Sequence, residues 1–581
     1  MVLVPTPLAV IVAGILLASG LSVTTFAAIQ LVRKKLRSFA QPQRVRALER
    51  SLGLTREEAR NKRVVGFFHP YCNAGGGGER VLWTALAAMQ RDHGSDTVFV
   101  VYSGDVGAGE GKASKDEILA KVQTRFGISL APASLLFVPL SYRWLVEDST
   151  WSRFTLLGQS LGSVLLALEA LAGVEGVVPD VFIDTMGYAF TYPLVKWLYD
   201  IPVGSYTHYP TISTDMLARV RSRRAGHTNR SSVASSALLS RAKLAYYERF
   251  ARAYAWSLGN ADSVMANSTW TRRHLEGLLG VAEGADAPGM LLGDAAGDSG
   301  VRRRKGGAAE KPQPSRAAMP TANAPTRRVR TVYPPCDTDH LSAFPLSTAS
   351  RIPSPSSPIT IFSLAQFRPE KEHATQLRAF AALVSPSPAG PALLPPSIDP
   401  ARLRLVLAGS VRNASDSERV ESLRALAQEL KVDSQTEFVV NAPFDEICAR
   451  MERASIGLHT MVDEHFGITV VEFQAAGLIP LAHASAGPLL DILVPTPSGT
   501  PTGFLAPSPS LSSSPGSQEA EPLHLSFARS LAHILALPAA EQDAIRSAAR
   551  ESAKERFAVS AFERGWNEGL EGLLAAVSMS K

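Results

Sequence analysis

The chain has 581 residues, 45% of them apolar and 19% charged, which is too long for one core, globular in composition, and excludes a disordered chain. Its net charge of +6 is local, because residues 33–63 hold 11 Lys/Arg against 3 Asp/Glu and leave 48 against 50 elsewhere, so the basic balance does not mark a nucleic-acid partner. Three scattered cysteines, Cys72, Cys336 and Cys448, with no C-x-x-C pair, exclude a disulfide framework or zinc ribbon and fit a reducing compartment.

Residues 1–32 contain no charged side chain, and Pro7 to Val32 is long enough to cross roughly 30 Å of hydrocarbon. No basic n-region precedes the run, whereas Arg33, Lys34, Lys35 and Arg37 follow it. This predicts a single-pass anchor over 1–32 with the body in the cytosol. The basic segment 33–60 is then expected to lie along an anionic leaflet.

Val64–Phe68 reads as a buried strand, followed by the glycine run Gly75–Gly78 and helical periodicity over Glu79–Arg91. Further strands are expected at Val98–Tyr102, Val181–Asp184, Val203–Thr207 and Ser263–Ala266. A second series begins at Thr360–Leu364 and continues at Leu403–Ala408, Glu437–Val440, Ile456–His459 and Ile479–Ala482. Strands alternating with helices predict an α/β protein with two Rossmann-like, doubly wound domains, at 61–340 and 341–540. Ligands of such domains bind at the carboxyl ends of the strands, here in the cleft expected between them. Residues 281–327, 386–401 and 497–521 lack apolar periodicity and read as disordered insertions. The domain boundary is expected near 338–357. Residues 541–581 read as a helical segment, with Trp566 and Leu570 on a docking face.

Residues 464–472, Glu-His-Phe-Gly-Ile-Thr-Val-Val-Glu, carry the strongest motif. Glu464 is expected in a loop and Glu472 on the following helix, ~12 Å apart along its axis. The helix N-terminus between them, at Phe466, Gly467 and Ile468, suits a diphosphate, and the flanking carboxylates suit sugar hydroxyls. Arg368 and Lys371 follow the first strand of the second domain, where two cations can neutralise a diphosphate leaving group. Gly76 and Gly77 sit between strand and helix, where amides can approach an anion. His208 ends a strand and can hydrogen-bond a hydroxyl or move a proton. Taken singly, each of these is also what a solvated helix acid, a surface turn or a structural histidine would show. Gly158-Gln-Ser-Leu-Gly162 superficially matches a nucleophile elbow but lies in a helical run and reads as structural. Asp337-Thr338-Asp339 has the bare Asp-x-Asp spacing, but no triplet is read as the kind that holds a nucleotide's metal ion and no His/Cys set has metal spacing, so no metal is expected.

In this order and combination the motifs resemble the retaining glycosyltransferases of family four, which have the GT-B fold. The chain is more closely similar to the eukaryotic alpha-1,2-mannosyltransferases of the dolichol pathway. That likeness rests on Phe154–Ser163, Pro179–Pro193, His208–Met216, Val332–Asp337 and Glu464–Gly477. It implies a GDP-mannose donor, a dolichol-diphosphate oligosaccharide acceptor that gains its fourth and fifth mannoses, and no cofactor. It also implies the endoplasmic reticulum membrane as location, the catalytic domains on its cytosolic face, and other mannosyltransferases of the pathway as candidate partners. By the same resemblance Arg368 and Lys371 bind the diphosphate, Glu464 the mannose, Glu472 the ribose, Gly76 and Gly77 the phosphates or acceptor, and His208 the sugar. Many family members separate the Arg and Lys by four residues, whereas here the gap is two. The alternatives are another lipid- or oligosaccharide-directed GT-B transferase and a non-catalytic GT-B scaffold at the membrane.

Overall fold

The computed structural model describes residues 7–107, 109, 111–221, 237–280, 329–385, 393–508 and 522–578. It resolves into two compact units, one of Met1–Ser205, Trp256–Asp262 and Glu571–Lys581, the other of Tyr206–Ala255 and Ser263–Leu570.

Two parallel sheets organise the chain. The first contains β1 (Arg63–Phe68), β2 (Thr97–Ser103), β3 (Leu135–Pro139), β4 (Val181–Asp184), β5 (Val203–Thr207), β6 (Ser263–Ala266) and β7 (Arg330–Thr331), in the order β3-β2-β1-β4-β5-β6-β7. The second contains β8 (Ile359–Leu364), β9 (Leu403–Gly409), β10 (Thr436–Val440), β11 (Ile456–His459), β12 (Ile479–His483) and β13 (Phe504–Ala506), in the order β10-β9-β8-β11-β12-β13. Both reverse direction after their third strand, the doubly wound pattern. Helices cover both faces, so central strands such as β1 and β11 are buried almost throughout and mainly apolar.

The helices used below are labelled in chain order: α1 (Pro7–Leu52), α2 (Gly77–His93), α3 (Thr155–Ala172), α4 (Thr191–Tyr199), α5 (Thr269–Leu279), α6 (His373–Val384), α7 (Phe444–Arg453), α8 (Ile468–Ala476), α9 (Ala539–Phe557) and α10 (Val559–Ser578). Helix α1 does not stop at residue 32; the basic segment continues it to Leu52 and packs on the first unit. Val45 and Leu48 are buried there, Arg44 forms a two-pronged pair with Asp180, and Arg37 Nε donates to the Leu198 carbonyl. Arg44, at 5% exposure, is thus a structural residue and not one that lies along a leaflet.

Two expectations change and one holds. Strand β3 went unread, although Leu135-Leu-Phe-Val138 is a short apolar run bounded by Pro132 and Pro139. Of the insertions, 281–327 lies outside the described residues, but the described parts of the other two are ordered. Leu393, Leu394 and Ile398 pack on the second core, and β13 within 497–521 pairs with β12. In α3, Ser160 Oγ donates to the Leu156 carbonyl, and a Cβ at Gly158 or Gly162 would collide with Trp151 or the Leu145 carbonyl. The elbow-like run is packing, as its sequence suggested.

Candidate active site

In the second sheet β8 and β11 are neighbours at the point where strand order reverses, so the loops leaving their carboxyl ends part and leave room for a ligand. Arg368 and Lys371 follow β8, and Glu464 follows β11. Thr460 fastens the two loops together: its Oγ1 donates to the Lys371 carbonyl at 3.0 Å, and Gln376 Nε2 donates to it at 2.9 Å.

Across that tie Lys371 Nζ donates to Glu464 Oε2 at 2.6 Å, and His459 Nε2 lies 3.1 Å from the same oxygen. Burial alone would raise the Glu464 carboxyl; the Lys371 ammonium and His459 outweigh it and hold the group well below the usual carboxylate range. Glu464 therefore stays anionic at working pH. It can accept hydrogen bonds from hydroxyls but has no proton to give. Arg368 stands apart, with its Nε 2.7 Å from Glu370 Oε1 and its side chain 41% exposed. The two cations thus differ: Lys371 is built into the carboxylate cluster, and Arg368 is held at the rim.

The main chain fixes Glu464 from the far side. Asp463 N donates to Ser485 Oγ at 2.8 Å, and Gly487 N donates to the Glu464 carbonyl at 2.9 Å. Gly467 enters α8 with φ +106°, a conformation side chains resist. Ile468 opens the helix, whose unpaired first-turn amides and dipole favour an anion, and Glu472 follows one turn on, half-buried. Phe466 is corrected: at 3% exposure its ring packs on Tyr333 and Phe557, so only its main chain is available to a donor.

His208 follows β5, its ring edge-on to Tyr206 at 5.0 Å. The next residue, Tyr209, stacks on His465 at 4.2 Å, and Trp270 stacks on His465 at 4.9 Å. This aromatic stack brings the His208 segment against the loop that carries Glu464. Gly76 and Gly77 lie in the first unit, where Gly76 precedes α2 and Gly77 opens it. The Gly76 amide does not stand open to an anion as expected. It donates to Glu79 Oε2 at 2.6 Å, while Ala74 N donates to Oε1 at 3.0 Å. Among the described residues no cluster of three His, Cys, Asp or Glu is placed to hold a metal ion.

Residues 62–279 match the family model described as ALG11 mannosyltransferase N-terminus, and residues 348–513 match Glycosyl transferases group 1. Over 520 residues the chain is 42% identical to the GDP-Man:Man(3)GlcNAc(2)-PP-Dol alpha-1,2-mannosyltransferase of Mus musculus, covering 90% of this chain and 89% of that one. The chain belongs to the GDP-Man:Man(3)GlcNAc(2)-PP-Dol alpha-1,2-mannosyltransferase family. The Homo sapiens member is 41% identical over 525 residues, covering 90% of each chain. Among solved structures, the alpha,alpha-trehalose 6-phosphate synthase of Burkholderia multivorans aligns with a TM-score of 0.54 at 12% identity, over 89% of this chain and 99% of that one. The shared architecture is the GT-B fold.

In this member of the mannosyltransferase family Lys371 and Glu464 meet, together with His459, while Arg368 stays at the rim; the supports of the pair have little signal in the sequence. His459 carried a local signal, since it closes a buried strand five residues before Glu464. Tyr209, Trp270 and His465 carried none, because a stack between segments far apart in the chain has no local pattern.

Proposed function

We propose that the protein transfers mannose in alpha-1,2 linkage from GDP-mannose to a dolichol-diphosphate-linked oligosaccharide, in assembly of the N-glycan precursor. The observation that carries this is the Lys371–Glu464–His459 cluster at the β8/β11 switch point, in a chain that matches its mannosyltransferase relatives along nine-tenths of its length. Arg368 and Lys371 bind the donor diphosphate, Glu464 accepts from mannose hydroxyls, Glu472 from the ribose, and His208 stands near the transferred sugar.

GDP-mannose carries an alpha linkage and the product is alpha, so configuration is retained. The Glu464 carboxylate is engaged by Lys371 and His459, which damps its nucleophilicity and suits it to orienting the sugar. Same-face displacement follows: the bond from the anomeric carbon to the diphosphate breaks, the acceptor oxygen bonds to that carbon, and the leaving diphosphate takes the acceptor's proton. Stabilising the charge that grows on the diphosphate is then the main catalytic term. The acceptor gains its fourth and fifth mannoses at the cytosolic face of the endoplasmic reticulum, with α1 as anchor.

The test is purified full-length protein with GDP-mannose and a lipid-diphosphate acceptor bearing three mannoses. Two added mannoses, both removable by an alpha-1,2-specific mannosidase and formed in the presence of EDTA, are expected. Transfer from a UDP-sugar in preference, or no transfer at all, would refute the proposal.

A further inference from the structure

In the first unit a groove of about 1080 Å³ runs beside α3, walled by Tyr142, Trp144, Leu145, Leu165, Leu168 and Val174. That exceeds the roughly 300–1,000 Å³ of a pocket for a compact small molecule. Its apolar walls stand in water: Trp144 is 51% exposed, Leu165 52% and Val174 99%. Leu157 and Leu161 continue the row on α3 toward Phe154, each also exposed, at the i, i+4 spacing that makes one continuous face. Single exposed apolar residues need no explanation, but a contiguous row beside a groove marks a binding surface.

The two ends of the groove differ in a way that says what it holds. One end is the segment Gly173–Gly176, where α1 arrives: Gln43 Nε2 donates to the Gly173 carbonyl at 2.5 Å. The same segment borders a second pocket, of about 380 Å³, that contains Arg46 and Arg50 of α1. This end therefore belongs to the helix bearing the uncharged run, with cations suited to an anionic membrane surface. The other end is at the carboxyl edge of the first sheet, lined by Val106, Lys112 and Pro139. There Asp105 accepts from Asn73 N at 2.9 Å and pairs with Arg143, and the Arg143 guanidinium lies 5.0 Å from the Tyr71 ring. This end thus abuts the loop that carries Gly75–Gly78. Glu169 also borders the groove, with its carboxylate held by the Ser141 and Tyr142 amides.

We infer that this groove seats the polyisoprenoid chain of the lipid-linked acceptor, its diphosphate toward Lys112 and its tail toward α1. This rests on the acceptor assigned under the proposed function. A chain of branched hydrocarbon needs long apolar walls with no hydrogen-bonding demand. It must also leave the membrane side and end at the strand carboxyl edge, where the sugar is presented. An acyl chain of a bilayer lipid has no reason to reach that edge.

The experiment uses full-length protein and two acceptors with the same oligosaccharide, one on a long polyisoprenoid and one on a short, water-dispersible chain. Trp144→Ala and Leu165→Glu are each expected to raise KM for the long-chain acceptor about tenfold, as loss of one or two buried methylenes' worth of contact does, and to leave the short-chain kcat/KM and GDP affinity unchanged. A long-chain polyprenyl phosphate with a diazirine in its tail should label the α3 row and Trp144 in the parent protein, and unlabelled polyprenyl phosphate should compete. Unchanged long-chain KM in both variants, or labelling confined to α1, overturns the inference. So does labelling that phosphatidylcholine vesicles suppress and polyprenyl phosphate does not, which assigns the groove to bilayer lipid. Failure of the parent protein to use either acceptor refutes the proposed function instead, and the labelling then decides the groove by itself.

Discussion

Lys371 and Glu464 hold each other in place, so neither can be removed cleanly. Their side chains are 21% and 14% exposed, which leaves a stranded partner poorly solvated. Lys371→Ala is expected to lower kcat by about a hundredfold through loss of charge on the leaving group, and to lower stability by ~2–3 kcal/mol because Glu464 keeps only His459. The double variant Lys371→Ala, Glu464→Gln should recover part of the stability and none of the turnover, measured by urea unfolding and steady-state rates. Recovery of both would mean that the pair is structural alone. Close by, the His373 ring is pressed down to about 4, first by burial and then by the charges of Lys371, His459 and Arg419. An unfolded histidine takes its proton near 6.5, so between 6.5 and 4 the unfolded chain binds a proton that the folded chain refuses. Its contribution is whole above pH 6.5 and falls as pH drops toward 4. Going from pH 7 to 5 should cost about 2 kcal/mol of stability in the parent. His373→Leu should lose most of that pH slope, whatever its stability at pH 7; an unchanged slope would assign it to other groups.

Helix α8 shows what the sequence could and could not convey about the site. Its entry was legible: Gly467 before an apolar run, with a carboxylate on each side. Its exit was not. The carbonyls of Ala475 and Ala476 at the C-terminal end are capped by Arg550 of α9 and by Arg351, from the stretch read as a Pro/Ser-rich boundary. Arg351 also binds the carbonyls of Met451, Glu452 and Ala454 at the end of α7, so one guanidinium closes two helices. It lacks a carboxylate partner among those contacts, and it is pushed down to about 9 by burial and then by Arg546 and Arg550. The stabilising opposite charge comes from the two helix ends, with a lesser contribution from Glu452. No local pattern distinguishes such an arginine from a solvated one, because apart from the nearby Pro345 carbonyl its partners are main-chain oxygens 100 or more residues away. The same limit explains β13, three residues long and, among the described residues, paired with β12 alone. Strands β1, β4, β5 and β11 were legible because burial on both faces makes their pattern local. Arg351→Met leaves several buried carbonyls unsatisfied and should cost ~3 kcal/mol, while GDP affinity falls as Glu472 loses its support. Arg550→Met should do less, since Arg351 still caps Ala476. Thermal unfolding and GDP titration check both; a stable Arg351→Met protein with weak GDP binding would point to a direct ligand role instead.

At the scale of the whole chain, α1 joins in one helix two segments that the sequence presented separately. Its first part is uncharged and its last part is a structural member of the first unit, in one unbroken helix. The expected cytosolic body can be tested at sequons, but not at all of them. Asn267 is 5% exposed at the end of β6, where a glycan would conflict with the folded packing, and Asn229 lies outside the described residues. Asn413, exposed as the cap of a helix, is the informative site, and it should remain unmodified in cells. Removal of α1 in two steps separates the proposed anchor from the scaffold. A chain lacking residues 1–32 keeps Arg37, Arg44, Val45 and Leu48, so it should stay folded and turn over a short-chain acceptor while leaving the membrane fraction. A chain lacking residues 1–52 exposes the surface under Val45 and Leu48 and leaves the Asp180 carboxylate, which also accepts from Val64 N, without Arg44. Breaking a well-formed, largely buried Arg–carboxylate pair costs ~3–5 kcal/mol, enough to unfold a marginal domain. The longer deletion should therefore aggregate or unfold well below the shorter one, and Arg44→Ala in the full chain should reproduce part of that loss. Equal unfolding temperatures for the two deletions would reduce α1 beyond residue 32 to a passive tether.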